Sequence, residues 1–186
     1  MGPPVDRAPL ARGARPHRGR AGRPLASERA LDVACGTQRY AVWLARRGRE
    51  VTDIDDSGVA RAQARPRAGG AGVSIPTVPA DLRDHELSVG RLDLVVAAHF
   101  HLQDRERQGH VDRAAAAPRS ARHLVVGHHR DSLGRARSPD PQRLTTAALL
   151  SARFLRLTGE RPRRCERPSE SGEEPLVDLV VWADRP

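Results

Sequence analysis

From Ala30 onward the chain alternates short apolar runs with segments of helical period, and this alternation narrows the fold more than any other feature. Ala30-Leu-Asp-Val-Ala34, Glu50-Val-Thr-Asp-Ile54, Val73 to Val78, Leu92-Asp-Leu-Val-Val-Ala97 and His123-Leu-Val-Val-Gly127 read as five strands. The fourth is almost continuously apolar, as a parallel strand covered on both faces must be. The third carries Pro76, which cannot donate to a ladder, so it belongs at or near a sheet edge. Between the strands, Tyr40 to Arg47 sets Ala41, Leu44 and Ala45 on one helical face and stops at Gly48. A second helix is expected behind Ser57 as N-cap and is expected to end at Pro66. Arg105 to Ala117 and Leu144 to Arg153 read as further helices. Such alternation implies right-handed βαβ units and a parallel sheet. Phe154–Arg164 and Leu176–Ala183 alternate loosely around a polar turn, which suggests a closing antiparallel pair. The expected fold is therefore α/β: a doubly wound, mostly parallel seven-stranded sheet with an antiparallel C-terminal strand pair.

Residues 1–29 have a different texture. Five prolines break any helix there, and Val5, Leu10 and Leu25 are the only large aliphatics between Pro3 and Arg29. Seven arginines stand against Asp6 and Glu28. A segment of this kind cannot bury enough apolar surface to offset its ordering entropy, so it reads as a disordered tail ahead of one domain over residues 30–186.

The formal net charge of +9 raises the question of nucleic acid. Every one of the 32 basic residues is arginine, and lysine and asparagine are absent, a bias that follows GC-rich codons. The arginines are dispersed and carry no interleaved aromatics for base stacking, so a solvated basic surface is the reading preferred over a nucleic-acid site. No apolar run approaches the roughly 20 residues of a membrane span. Cys35 and Cys165 form neither a metal spacing nor a disulfide framework, and no secretory leader is evident, so a reducing cytoplasm is the expected location.

Open parallel sheets bind ligands beyond the carboxyl ends of their strands, which directs attention to the residues just after each strand. After the first comes Asp32-Val-Ala-Cys-Gly-Thr-Gln38, where Gly36 lets the backbone approach a ligand and the next helix offers N–H groups to a carboxylate. Asp32 also suits a helix cap. After the second strand come Asp55 and Asp56, and an acid there can accept both hydroxyls of a ribose. After the third come Ala80, Asp81 and Leu82, where a carboxylate can accept from an adenine amino group. Asp93 lies within a strand and reads as structural, and Trp43 and Trp182 read as core.

In these motifs the chain resembles the class I S-adenosylmethionine (SAM)-dependent methyltransferases, most of all the small bacterial branch related to tellurite-resistance and thiopurine methyltransferase proteins. The resemblance runs from about Ala30 to Pro186. It implies a Rossmann-like fold, SAM as cofactor and a small-molecule methyl acceptor. By this resemblance the stretch from Asp32 through Ala34, Cys35, Gly36 and Thr37 holds the methionine part of SAM, Asp55 with Asp56 binds the ribose, and Ala80, Asp81 and Leu82 border the adenine. The segment Ala97–His101, with Ala98, faces cofactor and acceptor. Gln38 stands where the family nearly always has glycine, and its side chain is expected to crowd the methionine carboxylate or the helix–strand contact.

His99 and His101 share one face of an extended segment and are the candidates for a general base that takes a proton from the acceptor. With His128 and His129 they could gather at the sheet edge, but no acid or cysteine at ligand spacing accompanies them, so no metal is expected. Cys35, at a helix start, could have a lowered thiol pKa, although a small packing residue is the preferred reading. Three rival readings are a SAM-binding relative without turnover, a nicotinamide-dependent oxidoreductase and an arginine-rich nucleic-acid module. The oxidoreductase lacks its G-x-G-x-x-G turn, because Ala34, Gly36 and Arg39 occupy those places.

Overall fold

The computed structural model describes residues 28–81, 92–99, 122–128, 158–159, 163–167 and 176–184. The elements run β1 (Arg29–Val33), α1 (Arg39–Ala45), β2 (Glu50–Ile54), α2 (Gly58–Gly70), β3 (Thr77–Val78), β4 (Leu94–Ala98), β5 (Arg122–His128), β6 (Thr158–Gly159), β7 (Arg163–Arg167) and β8 (Leu176–Asp184). They build one sheet in the order β3-β2-β1-β4-β5-β8-β6, with β7 also on β8. β3, β2, β1, β4 and β5 pair in parallel, and β8 runs antiparallel to β5. The strand order reverses beside β1, between β2 and β4, and that switch point opens a crevice at the carboxyl ends.

Alternation along the strands sorts the core into two layers. Ala30, Val51, Leu94, Val96 and Val180 pack with Tyr40, Ala41, Trp43 and Leu44 of α1 on one face. Leu31, Val33, Ile54, Leu92 and Val95 form the other. Because side chains alternate, Asp32, Asp53, Ala98 and Asp178 belong to the α1 face, where the apolar cover gives out toward the carboxyl ends.

Among the described residues the sheet has eight strands, where seven were expected. β6 and β7 both pair along the outer edge of β8: Gly159 opposes Ala183, and Arg163 opposes Val180. The two pairings differ in register by one residue, and β6 and β7 are separate strands on β8.

Two further expectations shift. The third strand is only Thr77–Val78, at the sheet edge, since Pro76 precedes it. Helix α2 runs through Pro66 to Gly70. Ser57 caps it, its Oγ accepting from the Ala60 N–H at 3.2 Å. Pro66 is on the solvent side, where water can satisfy the carbonyl one turn back, and burial of Ala64 and Ala68 holds the opposite side. Asp93 has the structural part expected of it: its carboxylate accepts from the Arg29 N–H and its own N–H donates to the Arg29 carbonyl, both at 2.9 Å, tying β4 to β1 at their starts. Trp43 is core, with the Arg47 guanidinium 3.9 Å over its ring. The tail to residue 27, the helices expected at 105–117 and 144–153, and the side chain of Trp182 lie outside the described residues. Among those described, no helix is long and apolar enough to cross a membrane.

Candidate ligand site at the switch point

The turn after β1 is built on left-handed backbone. Ala34, Gly36 and Gln38 have φ of 54°, 54° and 60°. For Gly36 this is free, and among the described residues a Cβ built there would meet nothing within 4 Å. Ala34 and Gln38 adopt the same region at a cost. The Cys35 N–H donates to the Ile54 carbonyl at 3.3 Å and the Gly36 N–H donates to Asp55 Oδ2 at 2.8 Å, so the turn is fastened to the end of β2. The other Asp55 oxygen accepts from the Ser57 N–H, also at 2.8 Å, and the Arg61 guanidinium donates to the Asp55 carbonyl. Asp55 is buried, whereas Asp56 is exposed.

Asp32 is a cap. Its Oδ2 accepts from the Ala41 N–H at 3.0 Å, satisfying a first-turn donor of α1. Burial first, and the neighbouring Asp53 second, push its carboxyl up to about 8. Burial likewise pushes the Cys35 thiol far up, with Asp53 and Asp32 adding to it. The lowered thiol pKa considered for Cys35 is thus reversed: desolvation and nearby acids outweigh the helix start, and Cys35 is a packing residue.

Gln38 does not crowd the space over the turn. Its side chain is buried, and Nε2 donates to Asp53 Oδ2 and, at 3.2 Å, to Thr77 Oγ1. Asp53, which faces Asp32 in register across β1 and β2, was not among the residues singled out in the sequence. A charged residue between Val51 and Ile54 in a parallel strand is the signal that would have found it, because a buried acid needs partners.

At the end of β4, Ala98 packs at the edge of the α1-side core and His99 follows with φ 54°. His99 Nε2 lies 3.5 Å from the Tyr40 hydroxyl and 3.7 Å from Oδ2 of the fully buried Asp178. Tyr40 and Asp178 were also missed. Asp178 sits between Val177 and Leu179, the same pattern as Asp53. Thr37, Ala80 and Asp81 are half-buried, the latter two just beyond β3. Leu82, His101 and His129 lie outside the described residues, and His128 is described in its backbone alone. Cys35 and Gly36 both meet Asp55, and His99 meets Tyr40 from α1.

Residues 30–120 match a family model described as a methyltransferase domain. No curated protein sequence matches the chain. Among solved structures, a SAM-dependent methyltransferase from Methanosarcina mazei is similar with a TM-score of 0.68 at 16% identity, over 86% of this chain and 93% of that one. TehB from Haemophilus influenzae gives a TM-score of 0.68 at 16% identity, covering 87% of this chain and 59% of TehB. The N-methyltransferase NodS from Bradyrhizobium japonicum, solved with S-adenosylhomocysteine, gives 0.66 at 16% identity, over 86% of this chain and 78% of NodS. At such identities the likeness is one of fold.

Proposed function

We propose that this chain, which matches a methyltransferase-domain model over residues 30–120 and has the fold of SAM-dependent methyltransferases of known structure, transfers the methyl group of SAM to a small-molecule acceptor. The observation that carries this reading is the junction of Gly36 and Asp55: the first βα turn is held to the end of β2, at the switch point, with nothing among the described residues within 4 Å of a Cβ built at Gly36. The residues present fit the cofactor. The Gln38 side chain is turned away into the sheet, so the face of the turn stays clear. Among the described residues Asp55 Oδ1 accepts from the Ser57 N–H alone, which leaves it a second lone pair for a ribose hydroxyl, while Oδ2 takes the Gly36 N–H and the Cys35 thiol.

In this reading the backbone of Ala34, Cys35, Gly36 and Thr37 holds the amino-acid end of the cofactor, and Asp55 with Asp56 holds the ribose. Ala80, Asp81 and Leu82 border the adenine, and Ala98 lines the side toward the acceptor. When bound, SAM supplies an electrophilic methyl on sulfonium. The chain's own contribution is to hold the acceptor close and aligned, worth about 7–11 kcal/mol at most. It also removes the acceptor's proton. His99 is the base in this reading, with His101 as the alternate, and Asp178 orients the imidazole. A small-molecule acceptor is in keeping with structural neighbours, of which MtfA is named a glycopeptide N-methyltransferase and NodS an N-methyltransferase. Titration of the protein with S-adenosylhomocysteine by calorimetry, with Asp55→Ala beside it, tests the reading. Micromolar binding weakened by the substitution supports it, and no binding by a folded protein ends it.

A further inference from the structure

Gln38 and Asp53 are both buried almost completely. Gln38 Nε2 donates to Asp53 Oδ2 and to Thr77 Oγ1, yet among the described residues Gln38 Oε1 and Asp53 Oδ1 are buried with no partner. Both orphans are acceptors, so what the pair lacks is a hydrogen. Turning the amide over does not supply it, because Oε1 would then stand against Oδ2. A proton on Asp53 supplies one: a neutral carboxyl can donate to an amide oxygen while it accepts from the amide N–H, the two-bond arrangement in which an amide and a carboxylic acid satisfy each other.

The pair also sits where it governs the turn. Gln38 is the N-cap of α1, in left-handed backbone that a side chain disfavours, and it makes no capping bond with that side chain. Its N–H donates to the Cys35 carbonyl and its own carbonyl accepts from the Val42 N–H, both at 2.9 Å. The side-chain bonds to β2 and β3 hold this residue, and therefore the end of the turn that begins at Ala34.

We infer that Gln38 and Asp53 form a reciprocal amide–carboxylic acid pair that positions the cofactor turn, so that binding of an adenosylated ligand draws on a proton held at Asp53. The inference rests on the cofactor reading above for its ligand. The groups around Asp53 among the described residues are Asp32 on β1, Cys35 and Gln38 in the turn, Asp55 beyond β2 and Thr77 on β3. Thr77, Gln38 and Cys35 are donors, while Asp32 and Asp55 are like charges. Burial raises the Asp53 pKa above the usual carboxylate range despite those donors. As alkali ionises the buried acids, Gln38 loses its donor, the carboxylates repel, and the turn loosens.

The test uses the full chain and S-adenosylhomocysteine, titrated at about pH 6 and about pH 9. Wild type should lose about tenfold in affinity at the higher pH. Asp53→Asn replaces the acid proton with an amide N–H, so it should stay within about threefold of wild type at pH 6 and lose most of that pH dependence. Asp53→Ala and Gln38→Gly should each cost about tenfold at pH 6, and their combination no more than either alone, because removing both leaves no orphan. Asp53→Asn binding as poorly as Asp53→Ala, single losses that multiply in the double variant, or a wild-type affinity flat with pH would each overturn the inference. Infrared spectra of the ligand-free protein decide it independently. The protonated-carboxyl band that remains in Asp32→Asn should be lost when Asp53→Asn is added to it, and its persistence in that double variant would refute the pair. If wild type binds no S-adenosylhomocysteine at any pH, the cofactor reading fails, while that band and the same variant cycle followed by thermal melts still judge the pair.

Discussion

Gly36 and Asp55 are joined by a 2.8 Å hydrogen bond from backbone to carboxylate, across 19 residues of chain. The bond makes the acid after β2 a structural partner of the turn as well as a ligand candidate. Asp55→Ala should therefore lower S-adenosylhomocysteine affinity by at least about tenfold, the cost of one charge-assisted bond or more. It should also lower the melting temperature, since the Gly36 and Ser57 N–H groups lose their acceptor. A variant with weakened stability and unchanged affinity would leave Asp55 with the structural part alone.

Ala34 holds φ 54° without the freedom of glycine. Ala34→Gly should stabilise the protein by about 0.5–1 kcal/mol, the strain relieved less the greater entropy of an unfolded glycine. The check is a higher denaturant midpoint at unchanged m-value.

Asp32 is an acid whose proton is held by burial up to about pH 8. The folded state keeps a proton there that the unfolded chain releases near pH 4, so this group's stability contribution is whole below about pH 4 and is lost as pH rises to about 8. Asp32→Asn keeps an oxygen for the Ala41 N–H but does not titrate. The melting temperature of wild type relative to Asp32→Asn should fall across that window by roughly 5 °C or more. A difference that grows in favour of wild type with rising pH would contradict the burial argument.

His99 Nε2 lies within reach of both Tyr40 and the buried Asp178. If His99 takes the acceptor's proton, His99→Ala should reduce kcat about 10²–10⁴-fold on an acceptor found by screening, with S-adenosylhomocysteine affinity unchanged. Asp178→Asn should also reduce kcat, by a smaller factor, and shift the acidic limb of its pH profile while KM holds. Equal losses in cofactor affinity and kcat would assign the trio to the shape of the site instead.

Most of the fold was legible because its strands are apolar and their punctuation is strong. Residues 50–54 read as a strand and are β2, and the runs around Leu31, Val95 and Val125 are β1, β4 and β5. Pro66 misled because a proline on the solvent side of a helix loses one bond to water and breaks nothing else. The edge strand misled because a one-residue mismatch against β8 depends on which residues lie opposite, which spacing along one chain does not encode. In the candidate site, the turn and Asp55 were readable from order and separation. Asp53, Tyr40 and Asp178 were not, because their parts depend on faces brought together by the sheet. The Gln38 side chain goes into the helix–strand contact, one of the two places expected, but its partner Asp53 is 15 residues away and invisible until β1 and β2 lie side by side.

The broken edge at β6 and β7 bears on how copies of this protein behave toward one another. A long, unpaired strand invites a second sheet to add onto it. Here one flank offers only two residues of β3, and the other is split ahead of β7, whose sequence Arg-Arg-Cys-Glu-Arg is four-fifths charged. Among the described residues, a neighbouring strand would meet only two residues on one flank and mostly arginine on the other. Short and charged edges of this kind disfavour the addition of a second sheet.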